Sequence, residues 1–247
     1  MLSIVTSRGS QDPRRNGQPK TGPSHMVIVL GSGGHSREMI GLLRRLDPGR
    51  YFHRTYIASS GDDHAEAKAR EIESNIRKFQ AEGEFDDITA EGDLGSITAQ
   101  GILDPACGIW ELKIVPRARV IHQPIYTTPF SAFRCLAGCI EALRAASKTS
   151  KAATFQYPDV IIVNGPATAV MVIIASIILK FVGLAPVWSM RCIYVESFAR
   201  VVSLSLSGKI ILKLGLSDIF IVQWEKLAQK LNTNNRKRVE YLGILAF

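Results

Sequence analysis

Several features that would settle the class of this chain at once are missing from its 247 residues. There is no C-x-x-C pair among its four cysteines, Cys107, Cys135, Cys139 and Cys192. Cys135 and Cys139 stand four apart and can share a helix face, but two ligands do not make a zinc site. No metal is expected, and reduced thiols in the core of a cytosol-facing protein are the expectation. There is no uninterrupted apolar run of about 20 residues, the length a membrane-spanning helix needs. Ala169 to Leu179 is apolar apart from Ser176, and Lys180 then interrupts it. A span over 167–188 would carry that lysine inside the bilayer at a cost of about 2.5–3.5 kcal/mol. A helix buried against a sheet, or docked on a membrane surface, is expected instead. The first 25 residues hold Arg8, Arg14, Arg15 and Lys20 against Asp12, with no apolar stretch. No secretory signal is expected there, and 1–25 is expected to be a flexible basic tail. No arginine-rich motif interleaved with aromatics is present, so nucleic acid is not an expected partner.

What the chain does have is ample apolar content, 46%, enough for a sizeable core and too much for a disordered chain. Its charge is unevenly placed. Asp62 to Asp93 holds 11 acidic and 4 basic residues, whereas the rest holds 26 basic and 11 acidic. A basic body of this kind suits an anionic membrane surface or a phosphate-bearing substrate.

The most informative stretch is Val27-Ile28-Val29-Leu30, which stops at Gly31-Ser32-Gly33-Gly34-His35. Consecutive aliphatic residues read as a buried parallel strand. Met39, Ile40, Leu42, Leu43 and Leu46 follow at helical spacing. Strand, glycine turn and helix together aim backbone N–H groups and a helix N-terminus at an anion, so the ligand is expected to carry phosphate. Gly31, Gly33 and Gly34 allow close backbone approach. The spacing is neither G-x-G-x-x-G, because position 36 is Ser, nor a Walker loop. A dinucleotide-dependent oxidoreductase is therefore a weak reading. An ordinary strand-to-helix turn remains an alternative. His35 falls at the turn, where it can meet a ligand or serve a structural role.

Further apolar runs end at polar residues or glycine: Thr55–Ala58, Leu112–Val115, Val160–Val163, Cys192–Val195 and Ile219–Val222. Helical patterns lie between them, at about 36–46, 63–79, 130–147, 167–182, 203–214 and 225–231. This alternation predicts an α/β fold, a doubly wound parallel sheet, with ligands at the carboxyl ends of the strands. Glu82 to Gly108, rich in Gly, Asp and Glu, is expected to be an acidic inserted surface loop. Residues 26–247 then form a single domain.

Six blocks carry a resemblance: GSGGHSREM at 31–39, ASSGDDHAEAKA at 58–69, VPRAR at 115–119, NGPAT at 164–168, YVESFARVVSLSLSGK at 194–209 and DIFIVQWEKL at 218–227. In that order they resemble the membrane-recruiting subunit of the UDP-N-acetylglucosamine transferase of asparagine-linked glycosylation. The resemblance runs from about residue 26 to the C-terminus. It implies the Rossmann-like N-terminal, acceptor-side half of a two-domain GT-B glycosyltransferase, with the donor-binding half on a separate catalytic glycosyltransferase subunit. It implies addition of a second N-acetylglucosamine to dolichol-diphosphate-N-acetylglucosamine at the cytosolic face of the endoplasmic reticulum membrane, without a cofactor. Members usually begin with a transmembrane anchor, and Met1 to His25 is not expected to be one. Ala167 stands where the family has glycine, a strained choice if that turn needs a positive φ. His122-Gln123-Pro124 replaces the family's Gln-Ser after VPRAR.

The implied reaction is attack of the acceptor's 4-hydroxyl on C1 of UDP-N-acetylglucosamine, with inversion. It needs a base, stabilisation of the leaving diphosphate and a dry cleft. The catalytic candidates are His35, as base or phosphate ligand, and Glu196, as a partner of sugar hydroxyls. Glu196 can equally cap a helix or pair with Arg200. Candidate acceptor and phosphate ligands are Gly31, Ser32, Gly33, Gly34, Arg117, Arg119 and Asn164. The C-terminal segment 241–247 is either a final strand or a partner-docking tail through Tyr241, Leu242, Leu245 and Phe247. Two alternatives stay open: a self-sufficient homodimeric glycosyltransferase, and a module that only recruits a partner to the membrane.

Overall fold

A computed structural model describes residues 24–31, 33–83, 96–98, 101–104, 107–118, 128–148, 157–165, 167–232 and 239–244. The elements run β1 (His25–Val29), α1 (Gly34–Leu43), β2 (His53–Ser59), α2 (Ala65–Gly83), β3 (Ser96–Thr98), β4 (Gly101–Asp104) and β5 (Gly108–Val115). They continue with α3 (Thr128–Lys148), β6 (Val160–Asn164), α4 (Ala167–Phe181), β7 (Arg191–Val195), α5 (Leu206–Leu214), β8 (Ile219–Val222), α6 (Glu225–Leu231) and β9 (Glu240–Tyr241). One sheet orders the strands β3-β4-β5-β2-β1-β6-β7-β8-β9. From β5 to β9 all pairings are parallel. The Rossmann-like α/β fold expected from the sequence is therefore present. The chain starts in the middle of the sheet, builds outward through β2 and β5, then returns to build the other way from β6. Between β1 and β6 the winding reverses, and in such sheets the crevice at the strands' carboxyl ends is the ligand site.

Both faces of the sheet are covered, which is why its strands are apolar runs and not alternating patterns. On one face Val27, Val29, Ile161, Val163 and Tyr194 pack with α3, α4 and α5 through Cys139, Leu143, Val172 and Ile211. On the other, Met26, Ile28, Ile162 and Val195 meet Met39 and Leu43 of α1 and Ala69, Ile72 and Ile76 of α2. Fully burying one such aliphatic side chain contributes about 1.5–3 kcal/mol. All four cysteines are free and buried, as read from the sequence. Among the described residues no helix is long and apolar enough to cross a membrane. α4 is buried along one side and ends at Phe181, and Lys180 Nζ donates to the Met190 carbonyl at 2.9 Å. That lysine secures the end of a helix packed on the sheet.

Three expectations meet a different structure. β1 starts at His25, which is fully buried, so the last residue of the stretch read as a basic tail belongs to the sheet. Within 82–108, α2 runs on to Gly83, and β3 and β4 form an antiparallel pair on the edge of β5. Strands of three and four residues are too short to show a period, and the glycine and acid content around them hid them. Third, the turn after β6 does not strain Ala167. The positive φ there, 99°, falls at Gly165, and Ala167 is the first residue of α4.

Candidate functional site

β1 ends at the switch point, and Gly31 leads from it toward α1. A Cβ on Gly31 would stand 2.7 Å from the Cβ of His35. Ser36 Oγ donates to the Gly31 carbonyl and ties the first turn of α1 back to the strand end. Gly33 precedes α1 with φ 63° and ψ −131°, a conformation that glycine adopts readily and other residues resist. No side chain among the described residues caps the helix, and a Cβ on Gly33 or Gly34 would meet nothing within 4 Å. Both glycines are exposed. A helix N-terminus with bare, accessible glycines is a place where an anion can accept backbone N–H bonds and gain from the helix dipole.

Beside that N-terminus lies His35, half-buried. Its ring is held between the two strand ends, because a Cβ on Gly165 would lie 2.7 Å from His35 Cγ and 2.8 Å from Nδ1. His35 Nδ1 stands 3.0 Å from Asn164 Oδ1. Asn164 Nδ2 donates to Glu38 Oε2 at 2.8 Å, and Ser197 Oγ donates to Glu38 Oε1 at 2.7 Å. Helix α1, the end of β6 and the residue pair after β7 thus meet in one chain of bonds. Glu38 and Ser197 were not singled out from the sequence. One signal was available: Glu38 lies three residues after His35, so the two share a face of α1.

Glu196 takes the capping role and does not face the cleft mouth. It is 1% exposed, and its carboxylate closes the start of α5. Ser205 donates to Oε2 through both N–H and Oγ, each at 3.1 Å, and the Ser197 N–H donates to Oε1 at 3.2 Å. The Ser205 hydroxyl also accepts from the Gly208 N–H at 2.9 Å. A Cβ at position 208 would lie 2.0 Å from Glu196 Oε2, so glycine is needed there for the helix to sit on the carboxylate. Burial pushes the Glu196 pKa up, and the bonds from Ser205 and Ser197 pull against it.

Gly31, Gly33, Gly34, His35 and Asn164 are therefore brought together. Arg117 is elsewhere along the same edge, beyond β5. Its NH2 donates to the Gly61 carbonyl at 2.9 Å and its N–H to Ser60 Oγ at 3.3 Å, which fastens the β5 end to the loop after β2. Tyr241 lies on the outermost strand β9 and is 45% exposed, and Leu242 is half-buried. Ser32, Arg119, Leu245 and Phe247 lie outside the described residues. No cluster able to hold a metal ion occurs among the described residues.

The sheet order, the glycine-led α1 and the imidazole at the switch point define a Rossmann-like α/β domain with a candidate ligand site at the carboxyl ends of its strands. Its sequence places it more narrowly. Residues 26–245 match the model of the family described as oligosaccharide biosynthesis protein Alg14 like, and the chain belongs to that family. A protein of Schizosaccharomyces pombe named UDP-N-acetylglucosamine transferase subunit is 34% identical over 246 residues, covering 100% of this chain and 95% of the relative. Proteins of the same name from Aspergillus fumigatus and Cryptococcus neoformans are similar too. The first is 34% identical, with 84% of this chain and 99% of the relative covered. The second is 37% identical, with 91% and 84% covered.

Proposed function

We propose that this chain is a subunit of a UDP-N-acetylglucosamine transferase and supplies the acceptor side of its active site. The observation that carries the reading is the uncapped N-terminus of α1, with exposed Gly33 and Gly34, next to His35 at the switch point. Backbone N–H groups there would take the diphosphate of dolichol-diphosphate-N-acetylglucosamine. His35 would accept the proton of the sugar hydroxyl that attacks C1 of the donor. The names of the relatives call them subunits, which supports a separate catalytic chain carrying the donor pocket. In this reading the product carries a second N-acetylglucosamine, and the complex works at the cytosolic face of the endoplasmic reticulum membrane. The segment 241–247, whose first residue lies in the edge strand β9, docks the catalytic chain.

The test is co-expression with the catalytic subunit and assay of transfer to a short-chain dolichol-type acceptor, with a Gly33→Val variant alongside. A β-branched residue at φ 63° is strained by about 1–3 kcal/mol and covers the N–H groups an anion would use. Transfer should be lost while the circular dichroism spectrum is unchanged. Full activity of the variant would remove the anion-binding role. Turnover by this chain alone would favour the self-sufficient enzyme instead.

A further inference from the structure

The side-chain amide of Asn164 faces two groups of opposite hydrogen-bonding character. Its Nδ2 lies 2.8 Å from Glu38 Oε2, and its Oδ1 lies 3.0 Å from His35 Nδ1. An ionised carboxylate only accepts, so Glu38 can face the amide nitrogen and not the amide oxygen. A flipped amide would set oxygen against oxygen. The amide oxygen is thereby left toward His35, and because it has no hydrogen to give, the imidazole nitrogen opposite must donate. A neutral imidazole carries one N–H and one lone pair. With the hydrogen on Nδ1, the lone pair is on Nε2. Glu38 is itself held, because its other oxygen accepts from Ser197 Oγ at 2.7 Å.

We propose that Glu38 is a positioning residue: acting through Asn164, it fixes His35 as the Nδ1–H tautomer and so presents Nε2 as the proton acceptor. The proposal rests on the acceptor-side reading given above. In the transfer step the acceptor oxygen forms its bond to C1 of the sugar nucleotide while its proton passes to Nε2. The bond from C1 to the diphosphate oxygen breaks, and its electron pair leaves with UDP. Nδ1–H remains bonded to Asn164 throughout, so the imidazolium that forms is already solvated on one side by an amide oxygen. Free histidine favours the opposite, Nε2–H tautomer, and the Glu38–Asn164 pair is what reverses that preference here.

The experiment uses the full chain labelled with 15N-histidine, alone and co-expressed with the catalytic subunit. Long-range 15N–1H correlation spectra report the tautomer directly. In the wild type His35 should show the Nδ1–H pattern, and Glu38→Ala should move it toward Nε2–H. In the complex, Glu38→Ala should lower kcat about 100-fold, the size of loss that a misplacement of about 1 Å brings. KM for the sugar nucleotide should be unchanged. Glu38→Gln separates orientation from charge. Its amide oxygen can accept from Asn164 and its amide nitrogen can donate to Ser197 Oγ, so it should keep both the tautomer and most of kcat. An Nε2–H signal in the wild type would overturn the proposal, and that measurement needs no variant to fold. So would an unchanged tautomer or kcat in Glu38→Ala, or a loss in Glu38→Gln equal to that of the alanine variant. A wild-type complex that transfers no sugar would sink the functional reading instead, and the spectra would still decide the tautomer.

Discussion

Replacing Gly165 with alanine tests whether the imidazole is held by backbone shape. The residue sits at φ 99°, where any Cβ is strained by about 1–3 kcal/mol. The new methyl carbon would lie 2.7 Å from His35 Cγ and 2.8 Å from Nδ1. Ordinary carbon contacts are about 3.5–4.0 Å, so the ring must retreat by about 1 Å. The His35–Asn164 bond, 3.0 Å long, would then be stretched past a useful length. Losing a neutral hydrogen bond costs a further ~0.5–1.5 kcal/mol. The two effects together destabilise the fold by about 1.5–4.5 kcal/mol, less than the 5–15 kcal/mol or so typical of a native domain. The variant should therefore fold, with a lower urea midpoint and an unchanged m-value. In the complex with the catalytic subunit, kcat should fall about 100-fold, since a displacement of about 1 Å is enough for that loss. A Gly165→Ala protein within ~0.5 kcal/mol of wild type and equal to it in kcat would refute the idea that this glycine pins the ring.

Two other perturbations address the scaffold. Arg54 lies in β2 with no exposure, and its Nε and NH2 donate to the two oxygens of Glu73 at 2.7 and 2.6 Å; the Tyr56 hydroxyl donates to the same carboxylate at 2.6 Å. Glu73→Ala leaves a buried guanidinium uncompensated, so urea unfolding should show a loss of about 3–5 kcal/mol, and a loss under 1 kcal/mol or so would contradict the burial argument. At the opposite end of the sheet from the site, His53 stacks on His25 with ring centroids 4.1 Å apart. Burial lowers its pKa, only partly opposed by Glu111. Above the ordinary histidine value near 6.5 both folded and unfolded chains hold it neutral. As pH falls through that value the unfolded chain takes the proton first, so stability drops toward acid. His53→Phe keeps a ring on His25 and should flatten the slope of Tm against pH below about 6.5; parallel slopes for the two proteins would show that His53 does not cause it.

How legible these features were depends on the range of the interaction behind them. β1, β6 and β8 stood out because burial on both faces makes a run of consecutive apolar residues, which needs no knowledge of the neighbours. β2 was read only from Thr55, since His53 and Arg54 look like surface residues until Glu73, on α2, is known to face Arg54. The same holds at the site. His35 and the glycines around it advertise themselves by local chemistry. The partner of Asn164 is 126 residues away in sequence and the partner of Ser197 159 residues away, and both are Glu38. At Glu196 the sequence left two readings open. A carboxylate just past a buried strand has the local marks of a ligand-facing acid, and only the return of Ser205 and Gly208 onto it reveals a helix cap.

That cap bears on the site through one residue. Ser197 donates its backbone N–H to Glu196 and its hydroxyl to Glu38, while the Glu196 carbonyl accepts from Gln223 Nε2 at 3.1 Å. The Glu196 N–H in turn donates to the Ile221 carbonyl at 2.9 Å. His35 is thus referenced, through Asn164, Glu38 and Ser197, to the ends of β6, β7 and β8, which are among the most buried parts of the fold. The residues that hold the imidazole, Asn164, Gly165 and Ser197, all lie within two residues of a strand end, so the sheet sets its position. A site built this way holds the His35 ring in place within the chain itself. Under the proposed function, such preorganisation would leave closure of the cleft by a donor-side chain as the step that completes the site.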